Sequence, residues 1–385
     1  MPDGSRAKQR YTLFVLHPVF ALTGVVQAIG GSLLPSMAAH FHLVDRQSGL
    51  LFLFFFAGSS LGAVFCRRNY ARSLALSFLL MAGCCLGISL VSRPLLPAVF
   101  FLFGISNGIP MSAVNLLVGR SFPERCAPLL TFLNFSWSAG ALAAPLMAAR
   151  VLVHHDFRAA YLLLAGMAAA AALACALLLE DAAEAPRIER AITRGTQLRL
   201  ILLFAFAGFL QVGVENTAVT WLASYLLRMT GTGAVQAAAA SSLYFAGFLV
   251  SRGLSSLVLL RADATKVLRF AVLTSLAAGL LLFVLPSAGS RNAAMVLLGA
   301  SLAPIYPLLI ASFFARARQS SDTRWILATA GFGGSVLPWI AGWISSHTGS
   351  LRMGMLTIPA ALALMTLLLP VMRPPQAESR GTAAT

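Results

Sequence analysis

The sequence has few charged residues, and acidic residues are the scarcest. Of 385 residues only 10% are charged, and Asp and Glu together number 12. An ordinary soluble domain carries roughly 25% charged residues. The sequence also has only five cysteines, which show neither metal-ligand nor disulfide spacing, so we expect free thiols. This composition excludes a soluble globular domain and a disulfide-stapled scaffold.

Apolar residues take the place of the missing charges. They make up 58% of the chain, and the mean hydropathy is +0.83. Runs of about 20 apolar residues span a bilayer as helices, whereas barrel strands need only about ten alternating residues. We therefore predict an all-α integral membrane protein whose surroundings are the lipid bilayer. Its twelve predicted transmembrane helices are 11–39, 48–66, 73–92, 97–118, 128–150, 159–179, 200–227, 235–260, 267–285, 293–314, 325–345 and 351–371.

The 28 Lys and Arg residues are unevenly divided between the alternating connections. One side holds 21 of them and the other holds 7. Because basic residues accumulate on the cytoplasmic side of membrane proteins, we predict a multi-pass protein of the bacterial inner membrane with both termini in the cytoplasm. The net charge of +16 could suggest nucleic acid. A nucleic-acid binder clusters its basic residues on one face, so no nucleic-acid partner is expected.

The longest polar connection lies near the middle of the chain. It predicts an N-terminal six-helix bundle at 1–179, a cytoplasmic linker at 180–199 and a C-terminal six-helix bundle at 200–385. Three short matches support two related halves. They align Gln27 to Ser36 with Glu215 to Ser224, Phe56-Ala-Gly58 with Phe245-Ala-Gly247, and Gly104-Ile-Ser106 with Gly299-Ala-Ser301, at offsets of 188, 189 and 195 residues. Repeats of this kind are typical of transporters with a site between the halves at the bilayer midplane.

Glu215 is the one acidic residue well inside an apolar run. A charge at membrane depth costs roughly 2.5 to 3.5 kcal/mol on insertion scales, and such residues face polar cavities or pathways. The repeat alignment pairs Glu215 with Gln27. We therefore predict that Glu215 binds substrate or takes part in coupling.

Other polar and aromatic side chains inside the runs could complete a cavity for a polar solute. The alternative for each amide is hydrogen bonding between helices, which is common in membranes. We predict no catalytic residues and no cofactor. We also predict no metal, because the one cluster that resembles a metal site, His154-His155-Asp156, stands alone in a short loop. Besides Glu215, the candidates for substrate binding or coupling are Gln27, Asn107, Asn115, Asn134, Trp137, Asn216 and Trp221.

Several stretches resemble the major facilitator superfamily, and within it the branch of fucose permease and related bacterial sugar transporters. They are Gly30-Gly-Ser-Leu-Leu-Pro35, Asn134-Phe-Ser-Trp137, Val212-Gly-Val-Glu-Asn216, Ala303-Pro-Ile-Tyr-Pro307 and Gly333-Gly-Ser-Val-Leu-Pro-Trp339. The resemblance implies the major facilitator fold, a sugar as the small-molecule substrate, and Tyr306 and Trp339 as further site residues.

The chain departs from this resemblance at positions that matter for coupling. Fucose permease carries acids in helices one and four, where this chain has Gly31 and Met111. The loop after helix two has Cys66 where an acid is usual. If the coupling ion is a proton, Glu215 is therefore its expected carrier.

Together these features predict a monomeric secondary transporter of a small polar solute, with a sugar as the favoured class. Two alternatives stay open within transporters: an exporter of drugs or lipids, and an uncoupled facilitator in which Glu215 only binds substrate. A membrane enzyme would need several acidic or nucleophilic groups near the interface. With one intramembrane carboxylate, an enzyme is not expected.

Overall fold

The computed structural model describes residues 3–65, 69–122, 126–180, 196–259, 261–285, 287–316 and 323–372, and these residues form an all-helical protein. Helices follow from the composition, because a backbone in lipid must satisfy its hydrogen bonds within its own segment. The described helices are α1 (Asp3–Phe41), α2 (Asp45–Phe65), α3 (Tyr70–Leu90), α4 (Leu96–Ser121), α5 (Cys126–Leu152), α6 (Phe157–Leu178), α7 (Thr196–Thr230), α8 (Ala234–Leu259), α9 (Ala264–Val284), α10 (Ala288–Leu302), α11 (Ile305–Arg316), α12 (Thr323–Thr348), α13 (Leu351–Met355) and α14 (Thr357–Leu368).

Each of the twelve predicted spans coincides with one helix or with a consecutive pair. The tenth span is α10 followed by α11, and the twelfth is α13 followed by α14. Within the described residues, eleven helical stretches are long and apolar enough to cross a membrane. The predicted eleventh span is α12, which has 26 residues and is not among those eleven. The protein is therefore a multi-pass membrane protein with the predicted all-α fold.

The tenth span is broken at Ala303 and Pro304, between the end of α10 and the start of α11. Proline has no backbone N–H to give to the helix ladder. The side-chain amide of Gln211 in α7 donates to the carbonyl of Leu302 at 3.1 Å. A polar side chain of α7 thus supplies a hydrogen-bond donor to a carbonyl at the end of α10.

The packing of helices repeats between the first six spans and the last six. Where α2 crosses α4, a Cβ built on Gly58 or Gly104 would lie 2.2 or 1.9 Å from a carbonyl oxygen of the facing helix. Where α8 crosses α10, the distances for Gly247 and Gly299 are 2.1 and 1.9 Å. These are the glycines that the sequence repeat aligned. The prediction of two pseudo-symmetric bundles is confirmed by this shared crossing.

Among the described residues, three helix pairs make most of the contacts between the two halves. The helices α1 and α7 meet in the centre, α2 packs on α12, and α5 packs on α8. Residues 181–195 of the predicted linker, and Cys66 in the loop after α2, lie outside the described residues. Of the cysteines, Cys84, Cys85 and Cys175 are free and buried, as expected.

Candidate functional site

The helices α1 and α7 approach each other closely at the centre of the molecule. A Cβ built on Gly31 in α1 would lie 1.9 Å from the carbonyl oxygen of Val219 in α7. No larger residue fits here in this conformation, an acid included. The missing side chain at Gly31 allows Gln27, one turn earlier in α1, to reach side chains of α7.

Three side-chain amides form a chain across this centre. The Asn107 amide in α4 donates to Gln27 at 3.1 Å, Gln27 donates to Asn216 in α7 at 3.4 Å, and Asn216 donates to the carbonyl of Gly334 in α12 at 3.3 Å. Asn107 and Asn216 are buried. We call Asn107, Gln27 and Asn216 the amide chain. It connects four helices and passes from one half of the molecule to the other.

Glu215 lies beside the amide chain, in the middle of α7. Its side chain is partly exposed although it is inside a membrane span. Among the described residues, its helix neighbours Gln211 and Asn216 have hydrogen-bond partners, but no group donates to the Glu215 carboxylate. Tyr244 and Arg252 in α8 and Tyr306 in α11 lie within electrostatic range. The carboxylate is therefore open to a proton or to a solute.

Arg252 is a further charged residue near this centre, and sequence reasoning missed it. The count of basic residues placed it in a connection, whereas the structure places it within α8. Its guanidinium donates to the Ser138 hydroxyl at 3.2 Å and to the Asn134 carbonyl at 3.4 Å, both in α5. It also lies 5.1 Å from the ring centre of Trp137. Its position inside the predicted 235–260 run was the signal that could have found it.

Two of the candidate asparagines bond within their own helices. The Asn115 amide donates to the Met111 carbonyl at 2.6 Å, and the Asn134 amide donates to the Leu130 carbonyl at 2.8 Å. Both side chains are partly exposed. Their amide oxygens remain available on the partly exposed faces of α4 and α5.

Two of the tryptophans in the second half, the candidates Trp221 and Trp339, lie at contacts between helices. The Trp221 indole donates to the Pro338 carbonyl at 2.8 Å, so it ties α7 to α12. Trp339 is partly exposed, and its backbone packs against Gly49 of α2. These two residues therefore lie where α7 and α2 contact α12.

The ends of α2, α7 and α12 opposite the chain termini are joined by polar contacts. Arg228 forms a two-pronged ion pair with Asp45, with N–O distances of 2.5 and 2.6 Å. The Ser345 hydroxyl also donates to Asp45, and the Arg46 backbone donates to Ser346 at 2.7 Å. We call these five residues the polar latch. It closes the contact between the halves at this end.

A cavity of about 680 Å³ lies next to the polar latch. Asp45, Arg228, Trp221 and Ser48 all line it. It is separate from the amide chain, which lies deeper in the bundle. The latch and its cavity were not predicted, because Asp45 and Arg228 are far apart in sequence and each is ordinary for a helix end.

Comparisons with known proteins agree with this fold. The family model described as Major Facilitator Superfamily matches residues 16–321. The glucose/mannose transporter GlcP of Bacillus subtilis is 22% identical over 380 residues, which cover 92% of this chain and 93% of that protein. The E. coli fucose:proton symporter FucP superposes with a TM-score of 0.64 at 17% identity, over 94% of this chain and 99% of that one. A D-xylose–proton symporter gives a TM-score of 0.75 at 12% identity, over 94% and 98%.

Proposed function

Since the chain belongs to the major facilitator superfamily, a family of transporters rather than enzymes, we propose that it moves a sugar together with protons by alternating access. In this proposal Glu215 carries the proton. The amide chain and the partly exposed amides around it bind solute hydroxyls. The coarser role, a membrane transporter of a small molecule, follows from the family itself.

One observation carries the proposal. Glu215 is a carboxylate inside a membrane span, partly exposed and without a described donor, directly beside amides that connect the two halves. Burial favours the neutral acid, whereas water or a solute hydroxyl favours the anion. A site that alternates between the two membrane faces changes these surroundings. Coupling follows if the proton and the solute both prefer the same conformation.

The class of solute is supported by the side chains and by the relatives. Glutamine and asparagine amides offer both donors and acceptors, which suits a polyhydroxylated ligand better than a lipid. GlcP is named for glucose and mannose, and FucP for fucose. We therefore propose that the substrate of this chain is also a sugar.

The proposal includes an arrangement in the membrane. The excess of basic residues on one side supports an orientation with both termini in the cytoplasm and a bacterial inner membrane as the location. The polar latch then faces outward, and the protein is closed on the outside. We propose that residues 1–179 and 200–385 move as two bodies of a monomer.

Glu215→Gln in proteoliposomes tests the proton role. The amide keeps the size of the side chain and some of its hydrogen bonds but cannot exchange a proton. We expect the mutant to retain exchange of labelled for unlabelled sugar, because exchange requires no net proton movement. Accumulation driven by an imposed proton gradient falls at least tenfold, measured against wild type and against Asp156→Asn, a loop variant of the same chemistry.

Three results separate the candidates. Loss of accumulation with retained exchange supports the proton role. The second result is that the mutant loses both accumulation and exchange, while the wild type transports sugar without moving protons. It identifies an uncoupled carrier in which Glu215 binds the sugar. Full proton-driven accumulation in the mutant contradicts the proposal. A panel of labelled sugars and hydrophobic dyes in the exchange assay identifies the class of solute.

A further inference from the structure

The cavity next to the polar latch lies between the two halves, and the proposed function leaves it without a role. Its volume of about 680 Å³ is within the range of roughly 300–1,000 Å³ that small-molecule sites occupy. Its lining comes from both halves: α1, α2, the end of α5 and the loop after it on one side, and α7 and the start of α8 on the other. A molecule bound in this cavity would therefore contact both halves at once.

Two serines that the sequence repeat pairs, Ser36 in α1 and Ser224 in α7, line this cavity from opposite halves. Ser36 follows Gln27 by nine residues, and Ser224 follows Glu215 by the same number. Nine residues of helix are about 13 Å long. The cavity thus lies at the same α1–α7 contact as the amide chain, at a different depth, and it is walled by equivalent positions of the two halves.

The charged groups around the cavity already have partners of opposite sign. The Asp45 carboxylate pairs with Arg228 at N–O distances of 2.5 and 2.6 Å. The Asp156 carboxylate accepts from the backbone N–H of Arg158 at 3.0 Å and lies 3.7 Å from its guanidinium. A charged ligand would have to compete with these pairs, whereas a neutral ligand would leave them in place.

Hydroxyls are the groups that remain for a ligand. The Ser48 side chain lines the cavity and is buried, and its hydroxyl has no hydrogen-bond partner among the described residues. Ser224 is only 4% exposed and lines the same cavity. A hydroxyl both donates and accepts hydrogen bonds, and a buried one left unpaired is destabilising. These side chains therefore suit the hydroxyls of an uncharged solute.

We propose that this cavity is a second site for a neutral, hydroxyl-bearing solute, and that a solute bound there holds the polar latch closed. The choice of a sugar as this solute rests on the proposed function. Opening at this end separates the α1 wall from the α7 wall, so a solute that contacts both walls binds the closed form more tightly. Such a difference in affinity shifts the protein towards the closed form. A high sugar concentration on this side of the membrane therefore slows transport.

Protection of cysteines in the cavity tests the site. Ser36→Cys and Ser224→Cys are made separately in a background in which the natural cysteines are replaced. A small, membrane-impermeant thiol reagent is added with glucose, mannose, fucose or xylose. At about ten times its dissociation constant, a bound sugar slows labelling about tenfold. Ser92→Cys, which is exposed at the same end and outside the cavity, keeps its labelling rate.

Ala38→Phe distinguishes the cavity from the amide chain as the place where the sugar binds. Ala38 lines the cavity, so the phenyl ring takes the space of the solute. We expect this variant to lose the protection of Ser224→Cys and to keep the exchange of labelled sugar. Protection that persists in the variant would come from binding elsewhere and would overturn the inference. Gel filtration verifies folding, and Ala234→Phe fills the cavity from the opposite wall as a second variant.

Uptake rates test the effect on the latch, in vesicles whose latch end faces outward. Wild-type uptake is expected to rise and then fall as the sugar concentration increases, whereas uptake by Ala38→Phe only rises. Wild-type uptake that does not fall at concentrations that protect Ser224→Cys overturns the effect on the latch.

The outcomes separate this inference from the proposed function. If a sugar exchanges through the protein but none of the four protects Ser224→Cys, only the inference fails. If none of them exchanges, the proposed sugar transport fails, and protection of the cysteine alone then decides whether the cavity is a site.

Discussion

Two glycines, Gly31 and Gly104, each let two helix backbones approach closely, one between the halves and one within a half. Gly104 lies within the first half and Gly31 lies between the halves, yet an added Cβ at either would be 1.9 Å from a facing carbonyl oxygen. Distances this short cannot be relieved by a rotamer change, because the clash is with backbone. The backbones must separate at either site, and the consequence depends on what is being separated.

We predict opposite outcomes for valine at these two positions. Gly104→Val forces α2 from α4 within one bundle, which destabilises the fold by about 1–3 kcal/mol or more, seen as a lower melting temperature in detergent. Gly31→Val separates α1 from α7 between the bundles, which are built to part. It keeps most of its melting temperature but loses most of its transport rate.

Gly166→Val is the control for both variants, because Gly166 has open space around its Cβ position. It is expected to match wild type in melting and in transport. Equal melting losses at Gly31 and Gly104 would mean that the halves do not separate at α1 and α7.

At the scale of helices, the polar latch joins the halves at the end where α2 begins and α7 and α12 end. It ties α2 to α7 and α12 through one carboxylate, Asp45, which is only 11% exposed in its side chain. Surface ion pairs typically contribute 0.2–1 kcal/mol. The Asp45 carboxylate is mostly shielded and also accepts from Ser345, whereas the Arg228 side chain is 45% exposed, so the pair is expected to lie near the upper end of this range.

Asp45→Asn tests this role of the latch. The amide leaves Arg228 without its anion, so conformations open at this end become more populated. We expect a cysteine placed at Ser48, which is buried beside the latch, to react several times faster with a membrane-impermeant thiol reagent in this variant. The measurement uses a background in which the natural cysteines are replaced.

Asp156→Asn supplies the matched control, since Asp156 lies in a loop at the same end and its carboxylate is 3.7 Å from the exposed Arg158. It should leave the labelling rate unchanged. An unchanged rate in Asp45→Asn as well would show that the latch does not limit opening.

For the whole molecule, the sequence predicted the fold well and the site only in part. Apolar runs show where helices cross, because the bilayer imposes one length on each of them. Glu215 was identifiable because its carboxylate is isolated in an apolar run. Arg252 was missed because an arginine near the end of a run also fits a surface position. The latch was missed because nothing in a linear chain pairs Asp45 with Arg228.

Movement of the two halves as bodies gives a prediction for cross-linking. Cysteines at Asp45 and Ser345 join the halves, whereas cysteines at Ser275 and Ser301, whose hydroxyls are 2.9 Å apart, join α9 to α10 within the second half. A short bifunctional thiol reagent is expected to stop sugar transport in the first pair and to leave most of it in the second.

Each double mutant without the reagent serves as its own reference. Continued transport after complete cross-linking of the Asp45 and Ser345 positions would contradict alternation at this end. Loss of transport in the Ser275 and Ser301 pair would mean that the second half deforms internally during the cycle.

The repeated glycine crossings also carry a historical consequence. Gly58 with Gly104 and Gly247 with Gly299 hold their helices in the same way, which is what duplication of an ancestral six-helix unit would leave behind. At the aligned positions in α1 and α7, however, one copy has Gln27 and the other has Glu215. The difference between Gln27 and Glu215 would then have arisen after the duplication, as the two copies diverged. The glycine crossings, which hold each half together as it moves, would have been inherited by both copies.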